Sequence, residues 1–224
     1  MRLFSNAAAL VAKEIQTEFR SRELLTTTIV FVLIVIVLFS FTFDPSVSES
    51  RRFGPGLLWL AFLFSASLML QPCFLKERTN DTLSALRLSV GDPFAIFLAK
   101  LTSNALLLIL TQLILLPIFS VLYNVRIAPV LPQLLMVFFL GSLGVSVTGT
   151  ALSAVSSQAR MRELLLPMLL LPLLVPILIA STEATAALLD EHPEVRWEWV
   201  GILGAFDLVF LTALWLFGEY FLEE

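Results

Sequence analysis

RMRELLLPMLLLPLLVPILIA, residues Arg160 to Ala180, decides the reading of this chain. Two arginines and a glutamate close it on one side, and beyond Glu163 come 19 residues without a charge, Leu164 to Thr182. At 1.5 Å per residue they form a rod about 28 Å long, close to the hydrocarbon thickness of a bilayer. Pro167, Pro172 and Pro176 would each cost about 3 kcal/mol inside an unsupported helix. The span is therefore expected to sit inside a bundle whose neighbours re-satisfy the freed carbonyls.

The composition carries the same message outward. Of 224 residues, 58% are hydrophobic and the mean hydropathy is +0.92, too apolar for an ordinary soluble domain. The net charge of -4 averages two membrane faces and says little. No composition shift marks a second domain, so residues 1–224 read as one transmembrane domain. One cysteine, Cys73, excludes an intrachain disulfide and a cysteine-based metal cluster. The opening MRLFSNAAALVAKE lacks the pattern of a cleaved secretory signal, so the N-terminus is expected to be retained.

Six apolar segments are predicted to span the membrane, at about residues 24–43, 53–75, 95–122, 133–155, 164–182 and 199–218. Residues 1–23 precede them. There Phe4, Ala8, Val11, Ile15 and Phe19 recur every three or four positions, which predicts an amphipathic interfacial helix. Between Arg126 and Arg160, Pro129 and Pro132 break off a short piece before the fourth span.

Asp207 burdens the sixth span. An aspartate at a helix centre costs about 2.5–3.5 kcal/mol, while its apolar neighbours each return about 0.3–0.6 kcal/mol. Eleven Leu, Ile, Phe and Val residues between Trp199 and Gly218 outweigh it, so the segment still inserts.

Basic residues set the orientation. With both termini inside, Arg2, Lys13, Arg20, Arg22, Lys76, Arg78, Arg87, Lys100, Arg160 and Arg162 are cytoplasmic. Arg51, Arg52, Arg126 and Arg196 are outside, which satisfies the positive-inside rule.

Little points to covalent chemistry. No G-x-x-x-x-G-K-[ST] stretch occurs, so the chain has no phosphate-cradling nucleotide site of its own. The single histidine, His192, reads as a hydrated loop residue, and Cys73 as a small apolar filler. No cofactor or metal is expected to be bound directly, and no nucleic acid. The tryptophans, Trp59, Trp197, Trp199 and Trp215, suit the headgroup belt.

The candidate functional residues fall in three places. The polar stretch from Lys76 to Pro93 predicts a short helix, TLSALRL, capped by Thr79-Asn80-Asp81 and presenting Leu83 and Leu86 on one face. Such a helix fits a soluble partner's groove, with Glu77, Arg78 and Arg87 around it; the plainer alternative is a helix lying on headgroups. Arg160 and Arg162 are placed to brace that surface or to stop their helices at the interface. Asp207 and Glu183 are the intramembrane and outer candidates, since ionisable groups in spans line interiors or transport paths. A structural hydrogen-bonding role for Asp207 remains the competing reading. In the fourth span, Ser142, Ser146, Gly149, Ser153 and Ser157 form a stripe of small residues suited to close helix contact, within the chain or at a dimer seam.

The whole chain resembles the haem exporter protein B family, CcmB. The likeness runs through KEIQTEFRSRELL at Lys13–Leu25, LLWLAFLFSASL at Leu57–Leu68, FLKERTNDTLSALRLS at Phe74–Ser89 and Lys100. It continues in RELLLPMLLLPLLVPILIASTEATAALL at Arg162–Leu189 and AFDLVF at Ala205–Phe210. The resemblance implies an all-α integral membrane protein of ABC-2-type exporter permease architecture in the bacterial inner membrane. It implies no catalysis by this chain, with ATP and Mg held by a separate ABC ATPase subunit docked at Glu77–Leu88. Implied partners are a second permease copy, a haem-handling membrane subunit, a small helper protein and a periplasmic haem chaperone, with haem handled by the wider complex. Asn80-Asp81 departs from the Asp-Gly turn of related permeases, and Ser84 from a frequent acidic residue. The competing functions are a non-transport assembly scaffold and a secondary transporter using Asp207 as proton relay.

Overall fold

The structure, a computed structural model, describes residues 2–42, 47–74, 93–156 and 162–217. Seven helices account for nearly all of them, and no strand occurs among the described residues. They are α1 (Arg2–Ser21), α2 (Glu23–Thr42), α3 (Val47–Leu70), α4 (Pro93–Leu122), α5 (Leu131–Ser156), α6 (Arg162–Leu189) and α7 (Trp197–Phe217). Six of these, α2 to α7, are long and apolar enough to cross a bilayer. A 3-10 turn at Ala128–Val130 leads into α5, and Pro132 falls in its first turn, where the missing N–H costs nothing.

α5 is the central helix, packed on α3, α4, α6 and α7. Its glycines and hydroxyls let four neighbours approach, because small side chains allow close backbones in lipid. The stripe expected from the sequence is spent inside the chain. Ser142 Oγ donates to Gln112 Oε1 at 2.8 Å, Ser146 Oγ to the Leu101 carbonyl at 2.8 Å, and Ser153 Oγ to the Leu70 carbonyl at 2.9 Å. Gly149 lies against Leu70 and Leu170. Ser157 lies outside the described residues.

The proline-rich helix α6 is a correction to the sequence reading. It is continuous through Pro167, Pro172 and Pro176 and continues past Glu183 to Leu189, yet it is not enclosed. One stripe, Leu166, Leu170, Leu174, Ile177 and Ala180, is buried, whereas Pro172 and Pro176 lie on the exposed face. The prolines therefore do not mark an enclosed helix; the bundle covers the opposite stripe instead.

Trp59 is a second correction. Expected at the headgroup belt, it is 1% exposed, with Nε1 donating to Thr185 Oγ1 at 2.9 Å and its rings edge-on to Phe62 and Phe138. Its polar edge is satisfied across helices, so it has no need of the interface. Trp197 and Trp215 remain exposed.

α1 lies against the bundle with Val11 and Ile15 of its apolar stripe partly covered. It packs along α4 with Ala7 and Glu18 buried, while Ala8 and Phe19 are exposed. On the side facing the bundle, buried Glu18 and half-buried Glu14 each find a partner. Glu18 Oε1 accepts from the Leu25 amide at 3.0 Å and caps the first turn of α2. Between the two helices Arg22 takes φ 56, the left-handed conformation that ends a helix sharply. Asn124 does the same after α4 with φ 50, and the Val125 amide donates back to the Ser120 carbonyl at 3.1 Å.

Candidate functional site

The first site is built where α3 ends. Leu70 closes the helix, a turn follows, and Phe74 is 1% exposed immediately before residues 75–92. Four polar contacts hold this corner. Lys100, buried in α4, places Nζ 3.2 Å from Glu14 Oε1 of α1 and 6.0 Å from the Phe74 ring centroid. One turn on, Asn104 Nδ2 donates to Cys73 Sγ at 3.1 Å and to Thr150 Oγ1 at 3.0 Å. Ser153 of α5 clamps the Leu70 carbonyl. A buried ammonium is tolerable only with close compensation, since taking it from water costs several kcal/mol. The corner is thus tied to α1, α4 and α5 together.

Of the sequence candidates near this corner, Glu77, Arg78, Leu83, Leu86 and Arg87 lie outside the described residues, as does Arg160. Arg162 opens α6. Sequence reasoning gave Glu14, Glu18 and Asn104 no role of their own, and marked Lys100 through the charge balance and the resemblance. The available signal was an amide, Asn104, in an otherwise apolar span, which in lipid seeks a cross-helix partner.

Asp207 forms the second site. It lies midway along α7, 4% exposed, against the α5 backbone at Gly144. A Cβ on Gly144 would stand 2.6 Å from Asp207 Oδ1 and 2.6 Å from Ile177 Cδ1, so only glycine admits the carboxyl here. Neither carboxyl oxygen has a hydrogen-bond partner among the described residues, and the same holds for Ser181 Oγ and Thr148 Oγ1. Leaving such groups unpaired costs about 1–3 kcal/mol each by protein mutational measures. Asp207→Asn keeps the shape and removes the ionisable group. The expected result is an unchanged or higher thermal midpoint for the purified chain; a fall of several degrees would assign the carboxylate a stabilising partner.

Glu183 belongs to a third place, at the opposite end of the bundle. It lines a cleft of about 470 Å³ with Arg51, Arg52, Asp190, Glu191 and Arg196, between the start of α3, the end of α6 and the segment before α7. Arg51 Nη1 stands 3.3 Å from Glu191 Oε1. His192 is exposed nearby.

Six apolar helices, four of them packed on a central fifth that is rich in hydroxyls and glycines, define a polytopic membrane protein. Its family follows from comparison with known chains. The model of the CcmB protein family matches residues 5–217, and this chain belongs to that family. It is 30% identical to Heme exporter protein B of Pseudomonas aeruginosa over 184 residues, 82% of each chain. It is 28% identical to the Haemophilus influenzae protein of that name over 80% of each chain. For the Paracoccus denitrificans protein the identity is 30%, over 79% of this chain and 80% of the relative.

Proposed function

We propose that this chain is the permease-like, non-catalytic membrane subunit of an ABC-type complex for cytochrome c biogenesis. In this reading a separate ATPase binds the segment around Glu77, Arg78, Leu83, Leu86 and Arg87, with Arg160 and Arg162 bracing it. ATP and Mg stay in that subunit. Hydrolysis is coupled to release of the haem-loaded periplasmic chaperone or to haem-related transport. A second copy of the chain, a haem-handling membrane subunit and a small helper protein complete the complex. The chain sits in the bacterial inner membrane with both termini in the cytoplasm.

The observation that carries the reading is the polar anchor where the described chain stops at Phe74 and resumes at Pro93. A segment that only rested on headgroups needs no buried lysine and amide at its root. A segment that receives force does, because displacement must pass into the bundle before it dissipates. From Phe74 and Leu70 the route runs through Lys100 and Glu14 to α1, and through Ser153 and Asn104 to α5. α5 then meets α6 and α7 at Gly141 and Gly144, nearer the far end of the bundle. Family membership and the relatives' name support the haem assignment.

The test is purification of the native membrane complex with identification of its subunits by mass spectrometry, then single-turnover release of loaded chaperone. Glu14→Gln is expected to leave the ATPase bound and hydrolysing while release falls at least fivefold. Release that persists with a hydrolysis-dead ATPase would favour the scaffold reading instead. Uptake driven by pH without any ATPase, and lost in Asp207→Asn, would favour a secondary transporter.

A further inference from the structure

The cleft at the outer end of the bundle carries charges of both signs. Arg51, Arg52 and Arg196 line it together with Glu183, Asp190 and Glu191. Part of this charge is already spent. Arg51 pairs with Glu191 at 3.3 Å, Arg196 Nε donates to Glu194 at 3.3 Å, and Asp190 Oδ1 accepts from the Glu191 amide at 2.7 Å. Arg52 and Glu183 have no ion-pair partner among the described residues. The Arg52 guanidinium carbon lies 5.4 Å from the Phe53 ring centroid. Among the described residues Asp190 is bonded only to its neighbour's amide, which leaves its charge in place. The cleft therefore offers one cation, Arg52, and two carboxylates, Glu183 and Asp190, to a ligand, and a ligand of single sign would meet a like charge.

Its depth narrows the choice. The apolar stretches beside it begin at Arg51 and Trp197 and end at Leu189, so it opens where spans begin and end. Glu183 lies six residues before the end of α6, about 9 Å along the helix axis. Phe53 and Trp197, 46% and 69% exposed, follow the lining residues Arg52 and Arg196 in sequence, and exposed aromatic side chains are favoured at headgroup level.

We propose that this cleft binds the zwitterionic headgroup of a phosphatidylethanolamine lipid from the adjoining leaflet, with phosphate on Arg52 and ammonium on Glu183. An arginine fork suits a phosphate, and a primary ammonium donates hydrogen bonds to a carboxylate. Phosphatidylcholine presents the same charges but no N–H donors. Phosphatidylglycerol presents no cation. Binding there ties α3 to α6 from outside the core, since each charge comes from a different helix.

The experiment is native mass spectrometry of the purified complex after exchange into nanodiscs holding equal amounts of phosphatidylethanolamine, phosphatidylcholine and phosphatidylglycerol. The expected result is at least fivefold preferential retention of phosphatidylethanolamine. Arg52→Gln with Glu183→Gln should reduce it to the phosphatidylcholine level while the thermal midpoint in detergent stays put. Arg52→Ala alone, at an exposed position, should give the same loss and serves if the double variant does not fold. Equal retention of the three lipids would overturn the proposal, and so would variants that keep the preference. Occupation of the cleft by soluble glycerophosphoethanolamine in place of lipid, or by a loop of a partner protein, would overturn it too.

Discussion

Leu83→Asp combined with Leu86→Asp is expected to strip the ATPase from the purified complex and abolish chaperone release, while the variant chain still inserts. The two leucines stand three positions apart in TLSALRL, so a helix there presents both to one groove. Burying a leucine contributes about 1.5–3 kcal/mol. Losing both removes about 3–6 kcal/mol, and at 1.4 kcal/mol per tenfold that weakens binding by about 10²–10⁴. Two carboxylates entering an apolar groove add a desolvation cost on top. Insertion is spared because the segment lies between spans and the anchor residues Lys100, Asn104 and Ser153 are untouched. The measurement is the ATPase-to-permease ratio after affinity purification, with ATP hydrolysis of the eluate. A ratio equal to wild type would remove the docking assignment and leave the segment as a helix on headgroups.

Gly141→Ala should lower the thermal midpoint of the purified chain, and Gly201→Ala should not. At Gly141 a Cβ would run into the Trp59 ring, 2.7 Å from Cζ3, and lie 3.0 Å from Ser181 Oγ. The ring has nowhere to go. Its Nε1 is bonded to Thr185, and its faces and edges are shared with Phe62 and Phe138. Overpacking of this kind costs about 1–3 kcal/mol, and breaking the indole bond adds about 0.5–1.5 kcal/mol. Against this, alanine gains about 1 kcal/mol of helix propensity over glycine. The net loss of about 1–3 kcal/mol corresponds to about 2–12 °C for a chain of this size, taking 2–4 °C per kcal/mol. At Gly201 nothing lies within 4 Å of the added carbon, so only the propensity gain is left. Detergent-solubilised thermal shift of the two variants side by side settles the point; equal midpoints would mean that the Trp59 seam is looser than its contacts indicate.

Hydropathy and charge alone determined that this chain is helical and sixfold apolar, and they singled out Asp207, Glu183 and the small-residue stripe of the fourth span. Those features are local: a long uncharged run can only be satisfied as a helix in lipid, and an aspartate inside it stands out from its neighbours. Which helix is central was not legible. Prolines pointed to α6, whereas the glycines and serines of α5 decide the matter. Lipid-facing and helix-facing surfaces are equally apolar, so a hydrophobic pattern does not distinguish them. For the same reason the apolar stripe of α1 did not reveal that Glu14 and Glu18 point inward. Only the tertiary structure brought Trp59 to Thr185, 126 positions away, Glu14 to Lys100, and Asp207 to the bare backbone of Gly144. Each of these matches joins groups far apart in sequence, and packing between helices selects them where the helical period of any one segment does not.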